Sequence, residues 1–113
     1  MAGDYKTDEV DSSGSTGEGK ILKQNFPNPA CAQTTIRYEL PADGHITLTI
    51  YDLRGRKIST LVDMSAVAGP DAIDWNGTDT RGNALASGIY IYRIIINTGK
   101  EIFKEQKKLI FIR

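Results

Sequence analysis

The chain has 113 residues, 14 Lys+Arg against 14 Asp+Glu, and a formal net charge of zero; 40% of its residues are hydrophobic and 25% charged. That is one domain's worth of ordinary globular composition, which excludes a collagen-like, disulfide-dense or wholly disordered chain. One cysteine, Cys31, and one histidine, His45, exclude an internal disulfide and a His/Cys zinc cluster, and no apolar run approaches the roughly 20 residues of a membrane span.

Taken from the start, Met1-Ala2-Gly3-Asp4 lacks the basic region and apolar stretch of a secretory signal peptide. Residues 1–19 hold five carboxylates against Lys6 alone, a net of −4, so residues 20–113 carry +4. With Ser12-Ser13-Gly14-Ser15-Thr16-Gly17-Glu18-Gly19 this segment has linker composition, and it is expected to be a disordered acidic leader ahead of a basic domain, 20–113.

The domain reads as short stretches of period-two alternation between turn residues. An initial segment is expected at Ile21–Phe26, and the prolines of Asn28-Pro29-Ala30-Cys31-Ala32 suggest an extended loop with Cys31 a small buried side chain. Thr34, Ile36, Tyr38 and Leu40 share one strand face. Pro41-Ala42-Asp43-Gly44 turns the chain into a second strand, His45–Tyr51, with Ile46, Leu48 and Ile50 inward and His45, Thr47, Thr49 and Tyr51 outward. Asp52-Leu53-Arg54-Gly55 fits a type I turn with a glycine bulge, returning as Lys57–Val62.

After a looser stretch, Asp63–Pro70, a strand over Asp71–Trp75 places Ile73 and Trp75 on one face. Thr78–Ser87 is a polar connection with a turn at Arg81-Gly82-Asn83. Ile89–Ile96 then puts Tyr90, Tyr92, Ile94 and Ile96 on one side and Ile89, Ile91, Arg93 and Ile95 on the other, which predicts a central strand buried on nearly both faces. Asn97-Thr98-Gly99-Lys100 turns into the final strand region, Glu101–Arg113. About seven strands in roughly 94 residues predict an all-β, immunoglobulin-like antiparallel sandwich. Ser87-Gly88-Ile89-Tyr90 resembles a tyrosine corner, and Trp75 is the expected core aromatic.

Catalytic parts are scarce. His45 lies on a polar strand face with no nucleophile placed beside it, and no motif sets two carboxylates across a substrate, so the chain reads as no enzyme and implies no cofactor. Asp74, Asn76 and Asp79, around Gly77, form half of a calcium loop without the later bidentate Glu, and a plain turn explains them better. Lys100, Lys104, Lys107, Lys108 and Arg113 make the last strand basic, but without a recognition helix or interleaved exposed aromatics they do not form a nucleic-acid footprint. Lysines also guard exposed strand edges, and such an edge could pair two copies into a homodimer.

Six short motifs fall in order: Gln24-Asn25-Phe26-Pro27-Asn28-Pro29, Thr35-Ile36-Arg37-Tyr38-Glu39-Leu40-Pro41, Ile50-Tyr51-Asp52-Leu53-Arg54-Gly55-Arg56, Ala68-Gly69, Asp74-Trp75-Asn76-Gly77-Thr78-Asp79 and Ala86-Ser87-Gly88-Ile89-Tyr90-Ile91-Tyr92-Arg93. Together they resemble the type A C-terminal sorting domain of the type IX secretion system, and the Trp-Asn-Gly-Thr-Asp and Ser-Gly-Ile-Tyr parts also resemble the Ig-like domain of the flagellar hook-capping protein. The resemblance implies a non-catalytic module that directs a larger cargo from the periplasm to the cell surface or outside. Its implied partners are an outer-membrane translocon and a sortase-like protease, without nucleic acid and without membrane insertion. It implies recognition at Gly88, Tyr90, Gly99, Lys108, Ile112 and Arg113 in the final hairpin. After Pro29 the chain departs from the family pattern at Ala30-Cys31-Ala32-Gln33. The alternative reading is an Ig-like carbohydrate-binding or adhesive module attached to an extracellular enzyme, which would need outward aromatics such as Tyr51 and Phe103.

Overall fold

The alternation along the chain becomes seven strands in a computed structural model that describes residues 21–113. They are β1 (Phe26–Cys31), β2 (Gln33–Leu40), β3 (Gly44–Tyr51), β4 (Lys57–Ala66), β5 (Gly69–Trp75), β6 (Gly88–Asn97) and β7 (Ile102–Ile112). The expected acidic leader, residues 1–19, lies outside the described residues.

Pairing runs in the order β4-β3-β6-β7-β1-β2-β5. All neighbours are antiparallel except β1 and β7, which meet in parallel at Ala30↔Phe111 and Cys31↔Ile112. β1 also pairs with β2 at Phe26↔Thr35, so one strand is stitched to both layers of the sandwich. The layer β4-β3-β6-β7 closes on β2-β5. Between them lie Ile36, Tyr38 and Leu40 from β2, Ile46, Leu48 and Ile50 from β3, Tyr90, Tyr92, Ile94 and Ile96 from β6, and Leu109 and Phe111 from β7, all buried. This is the immunoglobulin-like sandwich expected from strand number and spacing. Trp75 fills its centre at 2% exposure, edge-on to Tyr90 (centroids 5.7 Å apart, 71°) and tilted against Phe111 (5.5 Å). Such aromatic contacts add about 0.5–1.5 kcal/mol beyond area burial.

Four local expectations change. The first full strand is Phe26–Cys31 and not Ile21–Phe26, whose part is limited to an isolated bridge, Leu22↔Tyr38. Prolines within β1 remove two ladder donors, and the Phe26-Pro27 and Asn28-Pro29 peptides are cis. Side chains replace the missing ladder: Asn25 Nδ2 donates to the Pro27 carbonyl (3.0 Å) and to Thr34 Oγ1 (2.9 Å), whose hydroxyl donates to the same carbonyl (2.8 Å). Cys31 is exposed rather than buried, because Ala30 takes the inward position of β1. The stretch expected to be loose is mostly strand: β4 continues to Ala66 because Gly44–Thr47 of β3 supplies partners for Asp63–Ala66. β6 is central in its sheet but fully buried on one face only, with Ile89 43% exposed on the other.

Two connections use the same device. In Asp52-Leu53-Arg54-Gly55-Arg56 and Asp79-Thr80-Arg81-Gly82-Asn83, the glycine N–H donates to the aspartate carbonyl (3.0 and 2.9 Å), and the aspartate N–H donates to the carbonyl four residues on (3.0 and 2.9 Å). The glycines sit at φ +85° and +87°, which L side chains rarely adopt.

Candidate functional site

The residues expected to carry recognition lie on the β6–β7 hairpin, and the structure separates them. Gly88 opens β6 opposite Phe111, and Tyr90 faces Leu109. Gly99 lies in the turn past the last register pair, Asn97↔Ile102, which is nine steps from Gly88 and about 30 Å along the hairpin at ordinary strand rise. There its φ of +88° and its N–H bond to Asn97 Oδ1 (2.9 Å) make the turn.

Both tyrosines of this hairpin act as internal stitches. The Tyr90 hydroxyl donates to the Ala86 carbonyl (2.7 Å), completing the tyrosine corner that Ser87-Gly88-Ile89-Tyr90 suggested. Tyr92, fully buried, donates to the Lys23 carbonyl (2.8 Å) and accepts from the Asn25 N–H (2.8 Å), tying β6 to the segment ahead of β1.

Arg113 is also an anchor. Its backbone N–H donates to Ser87 Oγ (2.7 Å), Nε donates to the Leu85 carbonyl (2.7 Å), and Nη2 donates to the Gly77 carbonyl (2.8 Å). Its guanidinium carbon stands 4.9 Å from the centroid of the Phe111 ring. One side chain therefore joins the end of β7 to both limbs of the β5–β6 connection. Lys108 and Ile112 differ: both are exposed, and Ile112, 48% exposed, lies in register with Cys31.

β7 sorts its residues by face. Leu109 and Phe111 are buried; Phe103, Glu105 and Lys107 are half-buried on the same side; Ile102, Lys104, Gln106, Lys108, Ile110 and Ile112 are exposed on the other. Glu105 turns to the N-terminal segment, where one carboxylate oxygen accepts the N–H groups of Ile21 (3.1 Å) and Leu22 (2.8 Å). Gln24 Nε2 donates to the Lys108 carbonyl (2.9 Å), and the Ile110 N–H donates to Asn28 Oδ1 (2.9 Å). Sequence reasoning missed these contacts, which join residues more than 80 apart and leave no local pattern.

The calcium candidates are turned to separate partners. Asp74 accepts from Thr35 Oγ1 (2.7 Å) and Gln33 Nε2 (3.1 Å), and Asn76 Oδ1 accepts from the Thr78 hydroxyl (2.6 Å). Asp79 accepts the N–H groups of Arg81 and Asn83 (both 2.9 Å), as Asp52 accepts those of Arg54 and Arg56. The N–H groups of Arg56 and Asn83, foremost among their partners, hold the carboxyls of Asp52 and Asp79 below the usual carboxylate value. His45 Nε2 lies 2.6 Å from Asp63 Oδ1 in an exposed cross-strand pair. Of the expected outward aromatics, Tyr51 is half-buried under Arg93 (4.8 Å to its centroid) and Phe103 packs on the core. Phe26, at 72%, is the strongly exposed aromatic among the described residues.

No curated protein matches the chain. Among solved structures, dimeric latent PorU from Porphyromonas gingivalis is similar over 81% of this chain at 25% identity and a TM-score of 0.66, and the chain spans 9% of PorU's length. FlgD from Xanthomonas campestris, whose structure is described as giving insights into the hook capping essential for flagellar assembly, matches 80% of this chain and 63% of its own at 21% identity and a TM-score of 0.56. PorZ of P. gingivalis, an essential bacterial surface component of the type-IX secretion system, matches 87% of this chain and 13% of its own at 21% identity and a TM-score of 0.51. These likenesses agree with the resemblance read from the six motifs. The model of the FlgD Ig-like domain matches residues 29–100, from within β1 to the turn before β7, and the chain belongs to that family.

Proposed function

We propose that this chain is a non-catalytic sorting and anchoring module, which directs a larger cargo protein through the type IX secretion machinery to the cell surface or outside. The observation that carries this reading is the likeness to PorU over 81% of the chain; the PorZ likeness adds the same fold in a protein described as part of that system. The domain acts as the substrate of the machinery. It passes through the periplasm, meets an outer-membrane translocon, and is cut by a sortase-like protease.

Within this reading the exposed residues Lys108 and Ile112 carry the address, while Gly88, Tyr90, Gly99 and Arg113 hold the hairpin that presents it. The test is a reporter exported to the periplasm with the full chain fused behind it, in a host that has the machinery. Reporter outside the cell is the expected result; periplasmic retention of a folded fusion overturns the reading. Lys108→Ala combined with Ile112→Ser should then block secretion without moving the melting temperature, whereas normal secretion by that variant would remove the address from these two residues.

A further inference from the structure

β7 keeps an open backbone edge. Its only strand neighbours among the described residues are β6, along Ile102–Phe111, and β1, at Phe111 and Ile112. The β6–β7 register runs unbroken from Gly88↔Phe111 to Asn97↔Ile102. In an antiparallel pair, alternate residues turn both backbone groups away from the partner strand. The Ile110 N–H and the Lys108 carbonyl point away from β6, since side chains of Asn28 and Gln24 bond them. By the same alternation, the N–H and C=O groups of Ile102, Lys104 and Gln106 face the free edge. The segment Ile21–Asn25 does not fill that place, because it runs against β2 in the opposite layer: Lys23 N–H donates to the Arg37 carbonyl (2.9 Å), and Glu39 N–H donates to that of Ile21 (2.8 Å).

We infer that Ile102–Gln106 is a docking edge for an extended acidic segment of another protein, which joins the sheet as an added strand beside β7. The charge on the strand selects the partner. Lys104 and Lys108 are exposed on the outward face, and Arg93 of β6 stands opposite Gln106, the residue between them, with its Nε 3.1 Å from Gln106 Oε1. Glu105, the carboxylate within the window, is turned to the amides of Ile21 and Leu22. Glu101 lies before the strand, at the turn. An added strand with carboxylates at its outward positions meets lysines along this edge, and its backbone pairs with three residues that already hold β geometry. A second copy of this chain fits worse: antiparallel self-pairing of Ile102–Gln106, centred on Lys104, sets Lys104 opposite Lys104 of the second copy, and like charges directly opposed are destabilising. The caps from Gln24 and Asn28 end the window where β1 takes over.

This inference concerns a binding surface and stands whether or not the chain sorts cargo, so the secretion assay and the following experiment fail separately. The full 15N-labelled chain is titrated with an end-blocked hexapeptide of alternating Glu and Val, and with its Lys and Val counterpart. The expected result is shifting of the Ile102, Lys104 and Gln106 amide signals by the Glu peptide alone, with affinity falling about tenfold or more from low to high salt. Gln106→Pro removes an edge N–H that the fold does not use and should abolish the shifts. Lys104→Glu with Lys108→Glu should transfer binding to the Lys peptide, a test that survives if the proline variant fails to fold. Equal response to both peptides, shifts confined to β4 or β5, or no response at millimolar peptide overturns the inference. So does concentration-dependent self-association through the same amides, which would assign the edge to a second copy.

Discussion

The Cβ that Gly77 lacks would stand 2.1 Å from Cζ of Phe111, so the Phe111 ring occupies the space directly over the Gly77 backbone. Gly77 also sits at φ +75°. Its carbonyl accepts from Arg113, whose guanidinium covers the same ring. Gly77→Ala therefore carries both an overpacking cost of about 1–3 kcal/mol and a left-handed backbone cost of about 1–2 kcal/mol. Urea unfolding should show a loss of at least about 2 kcal/mol; a variant as stable as the parent would mean that the ring moves freely.

Tyr92→Phe removes a buried hydroxyl that serves one donor and one acceptor at once. The expected loss is about 1–3 kcal/mol, because the Asn25 N–H is left buried without its partner. Tyr90→Phe, whose hydroxyl reaches the Ala86 carbonyl near the surface, should cost about 0.5–1.5 kcal/mol. Chemical denaturation of the two variants side by side reads the order, and a larger loss at Tyr90 would refute it.

Arg113→Ala and Lys108→Ala should part company. The arginine gives up two side-chain hydrogen bonds to backbone carbonyls and its place over Phe111, for an expected loss of about 1 kcal/mol after solvent screening. The exposed Lys108 side chain should cost less than about 0.5 kcal/mol. Differential scanning calorimetry distinguishes them, and equal melting temperatures would deny Arg113 its anchoring role.

Acid stability should depend on the two Asp-x-Arg-Gly turns. The folded-state pKa values of Asp52 and Asp79 are depressed below 3.8, chiefly by the N–H groups of Arg56 and Asn83. Their stabilisation is complete above the unfolded-state value and is lost as pH falls through the lower folded-state value. Asp52→Asn and Asp79→Asn should each flatten the decline of unfolding free energy as pH falls through and below the usual carboxylate range. Unchanged slopes in both variants would show that other carboxylates govern acid unfolding.

Much of this architecture is legible from residue order. Period two in β2, β3 and β6 identifies which side chains enter the core, and Trp75 could be placed there because no other side chain of its size is available. The Asp-x-x-Gly connections announce their turns by chemistry alone. β1 hides because its prolines forbid an ordinary ladder, and its substitutes, Asn25, Thr34 and Tyr92, are scattered across 68 residues. The end of β4 hides because Asp63–Ala66 is held by β3 and not by its own composition. The candidate site was half visible: the basic strand shows in the sequence, but the faces on which its charges lie follow from register. The family resemblance makes Arg113 part of an address, and only its reach to Gly77 and Leu85, 36 and 28 residues away, reveals an anchor.

The parallel contact of Ala30 and Cys31 with Phe111 and Ile112 has a mechanical meaning. Tension that draws the two ends of the domain apart pulls β1 and β7 along their own axes in opposite directions. Hydrogen bonds between strands loaded this way share the force and yield together, whereas an antiparallel hairpin pulled from its open end peels bond by bond. Arg113 bears on the same junction from the side, through Ser87 and Gly77. Towed from either end, the sandwich should resist as a unit up to one threshold and then give way in a single step, which a force trace on the isolated chain would record as one peak.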